Sequence, residues 1–282
     1  MKLMVSGCSY TQDYDWPRSL VPCNIDTVYN YGRRGAGNEY IADSISYHAL
    51  THDPDFVFVL WSGINRSELR VPHSSAFDQF VTPDSKTAVV GESLYFIGQG
   101  SVNVGASWIA GYESIKDPAW PQIHSIKDWF ALPQAIQQEC LQHKIYLSSH
   151  AGRESLAPFA HQYFLTQNLT EDRKYASEVA FQHIMNCHNV LERRGIPYRF
   201  SFIYDPWYHW DHISFGQAVH NCYSREIDWT KFVDLPPLNY GLRHDLMDQD
   251  GWHLTPAGMR QWATEVQSKL SQQSDLAAFF DS

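Results

Sequence analysis

Residues 56–61 read Phe-Val-Phe-Val-Leu-Trp, an unbroken apolar run rich in β-branched and aromatic side chains. Such a run, without polar alternation, fits a strand covered on both faces, as in a parallel sheet flanked by helices. It is far short of the ~20 residues needed to span a bilayer. A second run, Leu3-Met4-Val5-Ser6, stops at Gly7 and reads as another buried strand ending in a turn. Between the two, residues 38–50 carry Ile41, Ile45 and Leu50 at helical spacing, and Thr51-His52-Asp53-Pro54 breaks the pattern. Strand, helix and strand at these intervals make one βαβ unit.

The alternation resumes after an interval. Residues 67–130 mix Pro72, Pro83 and several glycines with short apolar stretches such as Ser93-Leu94-Tyr95-Phe96-Ile97, and read as an insertion with β-hairpin content. A helix is expected over residues 132–140 and a strand over 144–148. A longer helix is expected over about 170–194, where Ala176, Ala180, Ile184, Cys187 and Leu191 share one face and Gly195 supplies a stop. Residues 199–204 read as a strand, 206–212 as an aromatic loop, and 256–270 as the last helix. Alternating elements of this kind predict an α/β fold: a three-layer α/β/α sandwich with a mainly parallel sheet. The 282 residues read as a single domain carrying the insertion at about 67–130.

Composition removes several function classes. The net charge of −10 argues against a nucleic-acid partner, which needs a basic face. The five cysteines are widely spaced with no CxxC, so neither a zinc site nor a thioredoxin-type redox pair is expected, and the thiols should be reduced. The early apolar run ends at Ser6, shorter than a secretory signal requires, so neither export nor membrane attachment is expected.

Four short segments stand out, three of them at strand ends or helix starts. They are Gly7-Cys8-Ser9-Tyr10-Thr11, residues 30–38 around Gly35, Trp61-Ser62-Gly63-Ile64-Asn65-Arg66, and Asp250-Gly251-Trp252-His253 with the following Leu254-Thr255-Pro256. In open parallel sheets, ligands bind beyond the carboxyl ends of the strands. The segments supply the parts of an acyl-transfer site. Ser9 offers a hydroxyl that is inert until a base takes its proton, and His253 is the candidate base. Asp250, three residues earlier, can hold the imidazole tautomer and stabilise the imidazolium. The Ser9 N–H, the Gly35 N–H and the Asn65 side-chain amide can stabilise an oxyanion. Gly35 suits that task because a missing side chain permits close approach.

This order of Ser, Gly, Asn and His resembles the SGNH hydrolases, the GDSL esterase/lipase family. The resemblance maps their four blocks to Ser9, Gly35, Asn65 and His253, with Asp250 in the Asp-x-x-His position. Gly32, Gly35 and Gly37 compete for the second block, and Gly35 is selected because it follows Asn30 by five residues, as in relatives. Two positions depart from the pattern: Gly-Asp-Ser becomes Gly7-Cys8-Ser9, and the Asp that commonly follows the third-block Asn becomes Arg66. The resemblance covers residues 1–66 and 245–270 and implies an SGNH/flavodoxin-like sheet and ester hydrolysis through an acyl-Ser9 intermediate, without metal or organic cofactor. The expected substrate is a small-molecule or carbohydrate ester, with an O-acetylated carbohydrate leading, and Cys8, Tyr10, Arg66 and Trp252 are expected to line its site. Gly-Cys-Ser-Tyr/Phe-Thr starts resemble phage and environmental bacterial sequences, so a cytoplasmic or virion-associated location is expected. The alternative on the same fold is a non-catalytic or weakly active glycan-binding structural module.

Other features have plainer readings. His209-Trp210-Asp211-His212 could hold a metal, but aromatic packing or sugar stacking fits it better. Asn103, Trp108, Tyr112 and Trp120 suit the insertion's own core, and Arg33 with Arg34 reads as solvated surface or as an attractor of anionic substrate.

Overall fold

The structure, a computed structural model, describes residues 1–21, 25–63, 66–74, 87–101, 174–204, 226–249, 253–276 and 279. It is an α/β fold built on a four-stranded sheet. The strands are β1 (Lys2–Ser6), β2 (Thr27–Asn30), β3 (Phe56–Trp61) and, completing this sheet, β7 (Tyr198–Phe202). Their order is β2-β1-β3-β7, and all three pairings are parallel. The register sets Leu3 opposite both Val28 and Phe56, and Val57 opposite Tyr198.

All six residues of β3 are buried, as its continuous apolar run requires. Phe58 meets Trp16 and Trp262 edge-on, at centroid distances of 5.6 and 6.4 Å. Trp61, three residues on and facing the other way, meets Phe200 at 5.3 Å. Both faces of the strand are therefore filled by large rings, each contributing hydrophobic burial of roughly 1.5–3 kcal/mol.

Helix α2 (Asn38–His52) crosses from β2 to β3. Its inward stripe runs Ile41, Ile45, Ala49, all fully buried, whereas Leu50 is 55% exposed. The expected inward Leu50 lies one residue, about 100°, beyond that stripe, so Ala49 takes the core position. The helix ends where Asp53 adopts a left-handed conformation (φ 47°) before Pro54. Helix α3 (Lys174–Arg194) packs on α2 and buries Ala180, Ile184, Cys187 and Leu191. Gly195, at φ 62°, closes it: its N–H donates to the Glu192 carbonyl and the Ile196 N–H to that of Leu191. Helices α4 (Pro237–His244) and α5 (Pro256–Ser271) pack together, and Thr255 caps α5 by accepting the Gly258 N–H at 3.0 Å.

The segment after β3 forms a second sheet. Strands β4 (Arg66–Pro72), β5 (Thr87–Val90) and β6 (Ser93–Ser101) are antiparallel in the order β4-β6-β5. It is tied to α2 through Asp43, which accepts from Arg70 at 3.0 Å and from the Tyr95 hydroxyl. The elements expected over 132–140, 144–148 and 206–212, and residues 103, 108, 112 and 120, lie outside the described residues. Strand 199–204 ends earlier than expected, at Phe202, with a bend following. Strand β2 and helix α4 were not expected from the sequence. Among the described residues, no helix is long and apolar enough to cross a membrane.

Candidate active site

The order β2-β1-β3 makes the chain reverse direction of travel at β1, so the crevice beyond the carboxyl ends of β1 and β3 is a topological switch point. Ser9 stands at the mouth of β1. Gly7 and Cys8 turn the chain, and Ser9 opens the short helix α1 (Ser9–Gln12), whose Thr11 and Gln12 N–H groups donate to the Cys8 carbonyl. Gly7 permits this tight turn. A Cβ there would sit 2.2 Å from Thr11 Oγ1 and 2.9 Å from the Leu60 carbonyl oxygen.

His253 reaches Ser9 from the far end of the sequence, with its Nε2 2.8 Å from Ser9 Oγ. With the hydroxyl as donor, Nε2 is the bare nitrogen and the neutral ring carries its proton on Nδ1. The histidine sits on a braced turn. Its carbonyl accepts the Asp248 N–H at 2.7 Å, Thr255 donates to the Leu246 carbonyl at 2.8 Å, and Met247 bridges to Leu254. Tyr14 fastens the turn to the first segment by donating to the Leu254 carbonyl at 2.8 Å. The Tyr10 ring lies 5.2 Å from the His253 ring, placing one expected lining residue beside the base.

The glycine-rich segment lies against the Ser9 turn. Arg33 donates its N–H to the Gly7 carbonyl at 3.0 Å, and Asn30 Nδ2 donates to the Thr11 carbonyl at 2.8 Å. Gly32 sits so close to α1 that a Cβ would meet the Gln12 nitrogen at 2.7 Å. Gly35 adopts φ 78°, the left-handed region that favours glycine. Arg34 forms an ion pair with Asp13, Nε to Oδ1 2.8 Å.

Asn38, unremarked in the sequence, links this segment to β3. Its Oδ1 accepts the Ser62 N–H at 2.9 Å, its Nδ2 donates to the Ser62 carbonyl at 3.3 Å, and it is almost fully buried. An asparagine beside Gly37 at a helix start resembles an ordinary cap, so its pairing with a strand exit leaves no sequence signal beyond that.

The other expected residues fare differently. Cys8 is fully buried, so its thiol packs inward and offers no surface to a substrate; its sulfur lies 3.9 Å from Ser9 Oγ. Arg66 begins β4 opposite Ser101. Asn65, Asp250 and Trp252 lie outside the described residues. Among the described residues, no group of three or more His, Cys, Asp or Glu side chains is placed to hold a metal ion.

A serine hydroxyl held on an imidazole at the carboxyl end of a parallel sheet defines an arrangement suited to nucleophilic chemistry. No family model matches this chain, and no curated protein or solved structure is significantly similar to it.

Proposed function

We propose that this protein is a serine esterase of the SGNH type, on a three-layer α/β/α sandwich, cleaving a carboxylic ester through an acyl-Ser9 intermediate. The observation that carries the reading is the 2.8 Å contact between Ser9 Oγ and His253 Nε2, made between two segments picked out for the nucleophile and the base. The parallel sheet, the left-handed Gly35 in the segment whose Gly32 and Arg33 lie against the Ser9 turn, and the switch-point location support it.

In this reading His253 Nε2 takes the hydroxyl proton as Ser9 Oγ attacks the ester carbonyl. The Ser9 and Gly35 N–H groups and the Asn65 amide donate to the oxyanion; in a comparable site each such donor is worth about 2.7–4 kcal/mol. The tetrahedral adduct collapses, the C–O bond to the alcohol breaks, and the imidazolium gives its proton to the departing alcohol. Water then enters, His253 takes its proton, and hydrolysis of the acyl-serine releases the acid and restores Ser9. Asp250 holds the tautomer and stabilises the imidazolium. A short acyl group, such as acetyl on a carbohydrate, is the proposed substrate. No metal or organic cofactor takes part.

The test is hydrolysis of p-nitrophenyl acetate by the wild type, Ser9→Ala and His253→Ala. Nitrophenolate release should fall to background in both variants. Equal rates in wild type and Ser9→Ala would sink the reading.

A further inference from the structure

We propose that Arg33 forms an anion subsite beside the nucleophile, so that the ester cleaved carries a carboxylate or phosphate group on its alcohol part. The proposal rests on the esterase reading and adds the charge of its substrate. Cations whose side chains the structure describes fall into two groups. Those on the open surface, such as Arg193, Arg243 and Arg260, need no partner because water solvates them. Those withdrawn from water are neutralised, with one exception. Arg199 is buried and pairs with Asp275, and half-buried Lys231 lies 3.4 Å from Asp275 and 3.9 Å from Glu192. Arg33 is the exception: it is half-buried, makes no ion pair among the described residues, and its Nε is buried without a hydrogen-bond partner.

A buried charged donor left unpaired is costly, and such groups in folded proteins call for a partner. The adjacent Arg34 cannot be exchanged for it, being committed to Asp13. The location says what the partner is for. The Arg33 N–H is bonded to the Gly7 carbonyl, two residues before Ser9, and Gly35, with its left-handed backbone, follows two residues later. A guanidinium matches a carboxylate or phosphate through paired N–H donors, and is more weakly hydrated than an ammonium, so it suits a partly dry site. The net charge of −10 disfavours polyanions at long range, but it does not weigh against one anionic group met by a local cation.

The experiment compares kcat/KM for 4-acetoxybenzoate and 4-acetoxyphenyl phosphate with that for neutral methyl 4-acetoxybenzoate, in wild type, Arg33→Gln and Arg33→Lys. The preference for the anionic esters over the neutral one should drop at least tenfold in Arg33→Gln and less in Arg33→Lys. In parallel, 4-hydroxybenzoate should raise the Tm of the wild type in a concentration-dependent way that methyl 4-hydroxybenzoate does not reproduce, and Arg33→Gln should lose that shift. A protein inactive on every ester but still stabilised through Arg33 by 4-hydroxybenzoate would remove the esterase reading and keep the anion site. An active enzyme in which neither the preference nor the Tm shift depends on Arg33 would overturn the anion site and keep the esterase.

Discussion

Two residues without reactive groups brace the segments around Ser9. Gly7 leaves room for the Thr11 hydroxyl and the Leu60 carbonyl where a methyl group would collide with both. The Leu60 contact is with backbone of the central strand, so the turn must shift rather than the obstacle. Gly7→Ala should therefore lower Tm and cut p-nitrophenyl acetate turnover by at least tenfold; thermal unfolding and steady-state kinetics measure the two effects separately. Asn38 is the second. It presents an acceptor and a donor to one peptide unit, so Asn38→Asp keeps the shape but replaces the donor with an oxygen facing the Ser62 carbonyl. Leaving buried polar groups unsatisfied should cost about 1–3 kcal/mol, read as a lower denaturation midpoint at unchanged m-value. The pairing of Ser9 with His253 was legible in the sequence because each stands next to a clear element boundary. Asn38 was not, because its partner, Ser62, is 24 positions away and only the fold brings the two together.

At the level of elements, legibility followed burial. β1 and β3 are wholly or almost wholly buried and announce themselves as apolar runs, and α3 and α5 carry a clear helical stripe. β2 is a four-residue strand at the edge of its sheet, half-buried over its first three residues and exposed at Asn30, so it shows neither a continuous run nor clean alternation. α4 begins after Pro236 with Pro237, a pair that reads as a breaker although proline suits a first helical turn. β2 and the residue after it are joined to α2 by stacked rings: Tyr31 on His48 at 3.8 Å and Tyr29 on His52 at 4.6 Å. Burial, with His52 nearby, pushes the His48 pKa down to about 4. The folded protein thus resists protonating His48 while the unfolded chain accepts the proton near pH 6.5. Stability from this group is complete above that pH and is lost as pH falls toward about 4. Tm should decline across this window, and His48→Phe should flatten the decline; an identical slope in the variant would refute the assignment. Arg199 of β7 makes a similar demand on the C-terminal segment, where Asp275 is its counter-charge and Gln273 a further acceptor. Asp275→Ala leaves a buried guanidinium without its carboxylate and should cost about 1–3 kcal/mol in denaturant unfolding, less than breaking a fully buried pair because the carboxylate itself is half-exposed.

For the whole molecule, the sheet order matters more than any one contact. Placing β1 between β2 and β3 sends the connections on its two sides in different directions, which puts the Ser9 turn and the residue 31–37 segment at the topological switch point. The second sheet is anchored to α2 by Asp43, so the helix that carries Asn38 at its start also carries that attachment. The site is thus assembled from the first strand, the first crossover and the approach to the last long helix. The Ser9–His253 contact closes a loop across 244 positions of the chain. Contacts so remote in sequence form late in folding, after local helices and neighbouring strands have organised. Hydrolysis should therefore report the last step of assembly: on dilution from urea, far-ultraviolet circular dichroism should recover first, and turnover should return only with the slowest phase.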